Sequence, residues 1–188
     1  MRSIYFLIIS ACFALNNAYA QSHEQKKYGT ETYNIYRNVS FSSGLNSIDI
    51  INCRDTLSIK KLKEQDLCMC NYLDGAIFLN AMKSVFSAEK KKSLASDGKE
   101  ATDRKEIAFF IYYDAASGQI LYVYFALYGN ITLSYEEKSS TAVTLKEIYQ
   151  LETQIKAQRL KLDLCNCSKF KYGTAIYSFP LHRLYMLK

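Results

Sequence analysis

The clearest pattern in the chain is a pair of apolar runs, Glu106 to Asp114 and Gln119 to Leu127, rich in Ile, Phe, Tyr and Val. β-Branched and aromatic residues favour strands, and Ala115-Ala116-Ser117-Gly118 between the runs offers a glycine for positive φ, so the pattern predicts a β-hairpin. Downstream, Leu145, Ile148, Leu151 and Ile155 recur at helical spacing behind a Thr144/Glu147 capping box, which predicts a helix ending near Arg159. Leu160, Leu162 and Leu164 alternate with Lys161, Asp163 and Cys165 as in a half-buried strand, and a last strand is expected from Gly173 to Met186. Pro180 has no N–H to give to a ladder, which places that strand at a sheet edge, open to a partner strand.

The first half of the chain is less regular. Short strands are expected at Tyr33 to Phe41, Asn46 to Asn52, Leu57 to Leu62 and Leu67 to Tyr72. Asp74 can cap a helix running to Phe86, because Phe78, Ala81, Met82 and Val85 form one apolar stripe, and Ser87 restarts a second helical segment through Leu94. Ser96 to Lys105 is polar and reads as a surface loop. No hinge or repeat divides the chain. The expectation is a disordered leader at residues 21–31, then a single α+β domain over 32–188, an antiparallel sheet with two packed helical segments.

The extreme N-terminus has a different composition. Arg2 precedes an apolar run from Ile4 to Leu15, and Asn16-Asn17-Ala18-Tyr19-Ala20 ends in small-x-small, the pattern of a signal peptide over residues 1–20 cleaved after Ala20. The run is shorter than the roughly 20 apolar residues a membrane span requires. Ile9-Ser10-Ala11-Cys12 also resembles a lipobox, so a lipoprotein anchored through Cys12 is the alternative. Either way the chain is expected outside the cytoplasm, periplasmic or extracellular, with no transmembrane segment after cleavage.

Charge and composition narrow the functions. The chain has 24 Lys+Arg against 18 Asp+Glu, a net charge of +6 that falls by one when Arg2 is removed. The runs Lys60-Lys61-Leu62-Lys63 and Lys90-Lys91-Lys92 read as solvated faces, and with export this argues against nucleic acid. After residue 20 the histidines are His23, in the polar leader, and His182, beside Arg183, and neither has a nucleophile's context. Walker, H-E-x-x-H, G-x-S-x-G and dinucleotide motifs are absent, so no cofactor is expected. Asp114, Glu136, Glu137 and Asp163 could serve a carboxylate-dependent hydrolase acting on envelope glycans, the alternative function, although nothing in the sequence pairs them. Asn38-Val39-Ser40, Asn130-Ile131-Thr132 and Asn166-Cys167-Ser168 are glycosylation sequons in a eukaryotic host and chance in a bacterial one.

Five cysteines follow residue 20: Cys53, and two C-x-C pairs, Cys68 with Cys70 and Cys165 with Cys167. On strands, residues two apart share a face, so adjacent strands would bring four sulfurs together. Three arrangements fit: disulfides between the pairs, a four-thiolate zinc site, or buried unpaired cysteines. Cys53 is left over in any scheme of two bridges, either buried or a partner for another chain.

From residue 74 the order is helix, hairpin, helix, strand, strand, and Ser117-Gly118-Gln119-Ile120-Leu121-Tyr122-Val123 opens its Val-rich second strand on a glycine turn. This layout resembles the C-terminal domain of TonB-type proteins. It is also similar to uncharacterised families of small exported Bacteroidota proteins, in which a helix like Phe86-Ser87-Ala88-Glu89 to Leu94 precedes such a hairpin. The resemblance implies no functional residue. The sequence thus leads to an exported binding or interaction module, with another envelope protein or a glycan as partner.

Overall fold

A computed structural model describes residues 19–40, 46–59, 62, 66–69, 75–96, 105–160, 167 and 169–187. Among the described residues nine strands and four α-helices follow in chain order: β1 (Tyr19–Tyr28), β2 (Glu31–Ser40), β3 (Asn46–Asn52), α1 (Cys53–Ile59), β4 (Leu67–Met69), α2 (Ala76–Val85), α3 (Ala88–Ser96), β5 (Glu106–Asp114), β6 (Ile120–Tyr128), β7 (Leu133–Ser134), β8 (Val143–Thr144), α4 (Leu145–Lys156) and β9 (Tyr172–Pro180). A 3₁₀ turn, Leu181–Met186, closes the chain. Seven strands form one sheet in the order β1-β2-β3-β6-β5-β9-β4, antiparallel except for the parallel β4–β9 pair, while β7 and β8 pair separately. This is an α+β domain.

The β5–β6 hairpin forms where the pattern puts it. Asp114 accepts from the backbone N–H of Ser117 at 2.7 Å and from its hydroxyl at 2.7 Å, and Gly118 takes φ +70°. A Cβ on Gly118 would also meet the Leu160 carbonyl oxygen at 2.4 Å. Ile107, Phe109, Ile111 and Tyr113 of β5 lie opposite Leu127, Phe125, Val123 and Ile120 of β6 on one buried face, against Phe78 and Met82 of α2 and Ile148, Leu151 and Ile155 of α4. The Thr144 capping box is present in full, and α4 stops at Lys156, short of Arg159.

Elsewhere the architecture corrects the sequence reading. Residues 21–28 of the expected leader are most of β1, paired with β2 along its whole length. Its polar side chains are satisfied laterally: the His23 ring stacks on Tyr36 at 4.6 Å, Gln25 donates to Asn34 at 2.8 Å, and Glu24 pairs with Arg37 at 3.4 Å. Cross-strand pairs of this kind hold a strand without an apolar face. Residues 57–59, expected in a strand, complete helix α1, because the Asn52 side chain caps it by accepting from the Arg54 N–H at 3.0 Å. Gly75 occupies the start of α2, and the expected cap Asp74 lies outside the described residues. So do residues 161–166 of the expected Leu160 strand.

The last strand ends at Pro180, before Met186, and it is not the sheet edge. β9 lies between β5 and β4, with Pro180 its final residue opposite Glu106. A proline at the last position removes no interior ladder bond, so it does not force the strand outward. The first edge of the sheet is β1.

Candidate functional site

Two places concentrate chemistry. The first is a cavity of about 410 Å³ where α1 meets α4 at the end of the β2–β3 pair, lined by Glu31, Asn52, Arg54, Asp55, Tyr149, Glu152 and Lys156 among others. Asp55 arrives on the first turn of α1, and Glu152 with Lys156 sits one turn apart on α4. The Lys156 ammonium donates to Asp55 Oδ2 at 2.6 Å and to Glu152 Oε1 at 2.6 Å, so the two carboxylate oxygens are no more than twice that distance apart. Both acids are 4% exposed. Tyr33 donates to Glu152 Oε2 at 2.6 Å, and Asn52 donates to Glu152 at 3.4 Å and to Glu31 at 2.9 Å.

Burial raises the Asp55 pKa above its ordinary value despite the neighbouring ammonium. Desolvation works against the Lys156 charge, but Glu152 and Asp55 overcome it and hold the ammonium above its ordinary pKa. Burial first, then the Glu152 charge, drive the Tyr33 phenol far above the usual tyrosine range. Two close carboxylates in a concavity with shifted neighbours are what an acid/base site requires. Here, however, Tyr33, Asn52 and Lys156 already occupy their oxygens. The arrangement clasps α1 to α4.

The second place is the face of the sheet opposite α2 and α4. Alternation along the strands brings side chains onto this face in rows, because every cross-strand partner shares its side. One row runs Ile51, Tyr124, Phe110, Ile176 across four strands, and the next runs Tyr122, Tyr112, Thr174, Met69. The Phe110 and Tyr124 rings stack at 4.2 Å and 7°, and Ile176 and Met69 are 56% and 73% exposed. Asp49 stands between this aromatic zone and the polar β1–β2 end, accepting from Asn38 Nδ2 at 2.8 Å. Burial raises its pKa, and burial together with the Asp49 charge raises those of the Tyr124 and Tyr128 phenols. Helix α1 reaches the polar end through Thr56, which accepts from Asn34 at 3.2 Å.

The residues singled out in the sequence fall elsewhere. Cys68 and Cys167 form a disulfide with Cα atoms 5.6 Å apart, taking one sulfur from each C-x-C pair, so neither offers a thiolate to zinc. Cys70 and Cys165 lie outside the described residues, as do Asp163, Asn166 and Cys12. Cys53 is free and half-buried. Among the described residues no group of three His, Cys, Asp or Glu could hold a metal ion. Asp114 is engaged in its turn, Glu136 and Glu137 are exposed, and Glu137 lies 3.8 Å from Lys146. His182 is exposed on the 3₁₀ turn, and Asn130 is exposed.

Within the lysine run, Lys90 is 2% exposed, not solvated. Its ammonium donates to the Ser139 and Ala142 carbonyls and lies 3.1 Å from Glu147, pinning the loop before α4.

No family model and no curated protein matches the sequence. Among solved structures, the chain is similar to a DUF5043 family protein from Bacteroides uniformis, with a TM-score of 0.53 at 13% identity over 85% of each chain. That likeness is one of fold. It supports a resemblance in fold to an uncharacterised Bacteroidota family and does not confirm the TonB-like layout.

Proposed function

We propose that this chain is an exported binding or interaction module of the cell envelope or extracellular space, and that it engages its partner, an envelope protein or glycan, through the aromatic face of the sheet. The observation that carries this reading is the pair of rows ending in exposed Ile176 and Met69 on the face opposite α2 and α4. Contiguous exposed apolar side chains with tyrosines mark interaction surfaces in soluble proteins. Export rests on the signal-peptide pattern of residues 1–20, and a disulfide suits an oxidising compartment. Among the described residues no helix is long and apolar enough to cross a membrane.

The test is capture from native envelope by the purified chain, compared with an Ile176→Ser/Tyr112→Ser variant whose circular dichroism and melting are unchanged. Loss of the captured species in the variant supports the reading. Equal capture removes this face from it. A second reading, hydrolysis of envelope glycans, draws on the proximity of Asp55 and Glu152. It predicts new reducing ends from peptidoglycan with the wild-type chain and none with Glu152→Gln. No release by the wild type ends it.

A further inference from the structure

β1 is the terminal strand of the seven, and the described residues place no strand on its outer side. We propose that two copies of this chain join through that edge, β1 against β1 in antiparallel register with Gln25 opposite the partner's Gln25. The register follows from charge and symmetry. Lys26 and Glu24 of β1 lie opposite Tyr33 and Ile35, both buried, so their side chains stand on the helix side of the sheet. A two-fold axis perpendicular to the sheet keeps that side common to both copies, so residues facing each other across the new ladder must share a side. The axis therefore passes beside a residue and never between two.

Near the middle of the strand three centres compete. A centre at Glu24 sets that carboxylate against the partner's Glu24, and a centre at Lys26 sets two ammonium groups together. A centre at Gln25 sets Glu24 opposite the partner's Lys26 and Lys26 opposite the partner's Glu24, two favourable pairs where the others have a repulsive one. The carboxylate is positioned beforehand: Tyr135 donates to Glu24, Arg37 lies at 3.4 Å, and the side chain remains about one-third exposed at 34%. Lys26, 42% exposed, already reaches toward Glu24 at 3.5 Å. The paired segment runs from Ser22 to Tyr28, so cleavage after Ala20 leaves it intact. Because the axis is perpendicular to the sheet, both aromatic faces end on the same side of the dimer.

The competing role for Lys26 is to blunt an edge strand that stays unpaired. Sedimentation velocity of the chain from Gln21 onward separates the two. The expected result is a dimer that forms with rising concentration up to about 100 μM. Lys26→Glu and Glu24→Lys each make the facing charges alike and weaken association about ten- to hundredfold. Mixing the two variants restores a dimer containing one of each, because every facing pair is then opposite in sign; circular dichroism confirms that both are folded. A wild-type monomer throughout the range, a dimer indifferent to both changes, or folded variants that fail to associate when mixed would overturn the proposal.

Discussion

Lys156→Met tests the clasp between α1 and α4 most directly. Methionine keeps an apolar stem where the lysine stem packs, and removes only the ammonium that holds Asp55 and Glu152. Two carboxylates, each 4% exposed, are then left facing each other without a cation. Breaking a buried pair by removing one partner costs ~3–5 kcal/mol, and the lower end applies because the Lys156 side chain is itself 26% exposed. For a chain of this size about 3 kcal/mol lowers Tm by roughly 6–12 °C. The orphaned pair also retains a proton in the folded state that it loses on unfolding at neutral pH. A carboxyl whose folded pKa is raised contributes stability that is full below its unfolded pKa and lost as pH rises through the folded one. The deficit of Lys156→Met, read from urea unfolding, should therefore shrink on going from about pH 7 to about pH 5. A loss under about 1 kcal/mol, the worth of an exposed pair, or a deficit equal at both pH values would refute the reasoning.

Replacing both Cys68 and Cys167 by serine opens a loop whose ends are 99 residues apart and should cost ~4–5 kcal/mol by urea unfolding under oxidising conditions, against no change when Cys53 alone is replaced. Thr144→Ala removes the side chain that accepts from the Glu147 N–H at 3.2 Å and should lower stability by about 1 kcal/mol in the same assay. Tyr33, held protonated by burial and Glu152, should resist ionisation in an alkaline ultraviolet titration until the chain unfolds, and Tyr33→Phe should remove that resistant component.

What was legible in the sequence was legible through local spacing. The β5–β6 hairpin, β3 and the Thr144 capping box are each encoded by strand alternation or cap chemistry between close neighbours in the chain, and each appears in place. β1 was obscured because its side chains are polar and satisfied sideways by Asn34, Tyr36 and Arg37, leaving no apolar alternation to detect. The clasp was obscured for a different reason: Asp55 and Tyr33 meet Lys156 and Glu152 across sequence separations of 101 and 119. Its one local trace is the four-residue spacing of Glu152 and Lys156, a pair that on most helices is solvated. Lys90 was hidden by Lys91 and Lys92, since a run of like charges does not say which member turns inward. The aromatic face was written in the sequence as Tyr112, Tyr122 and Tyr124, but which side of the sheet they share with Met69 depends on the β4–β9 register.

With residues 1–20 proposed as a cleaved leader, strand β1 also sets an order of events. The bond between Ala20 and Gln21 lies within it, with Ala20 opposite Val39 and Gln21 opposite Asn38. A peptidase that takes its substrate as an extended segment cannot use backbone already committed to a ladder. Under the proposed export, cleavage after Ala20 therefore comes before β1 closes on β2, and a molecule that folds first keeps residues 1–20. On that proposal the hairpin at the edge of the sheet acts as a clock for processing.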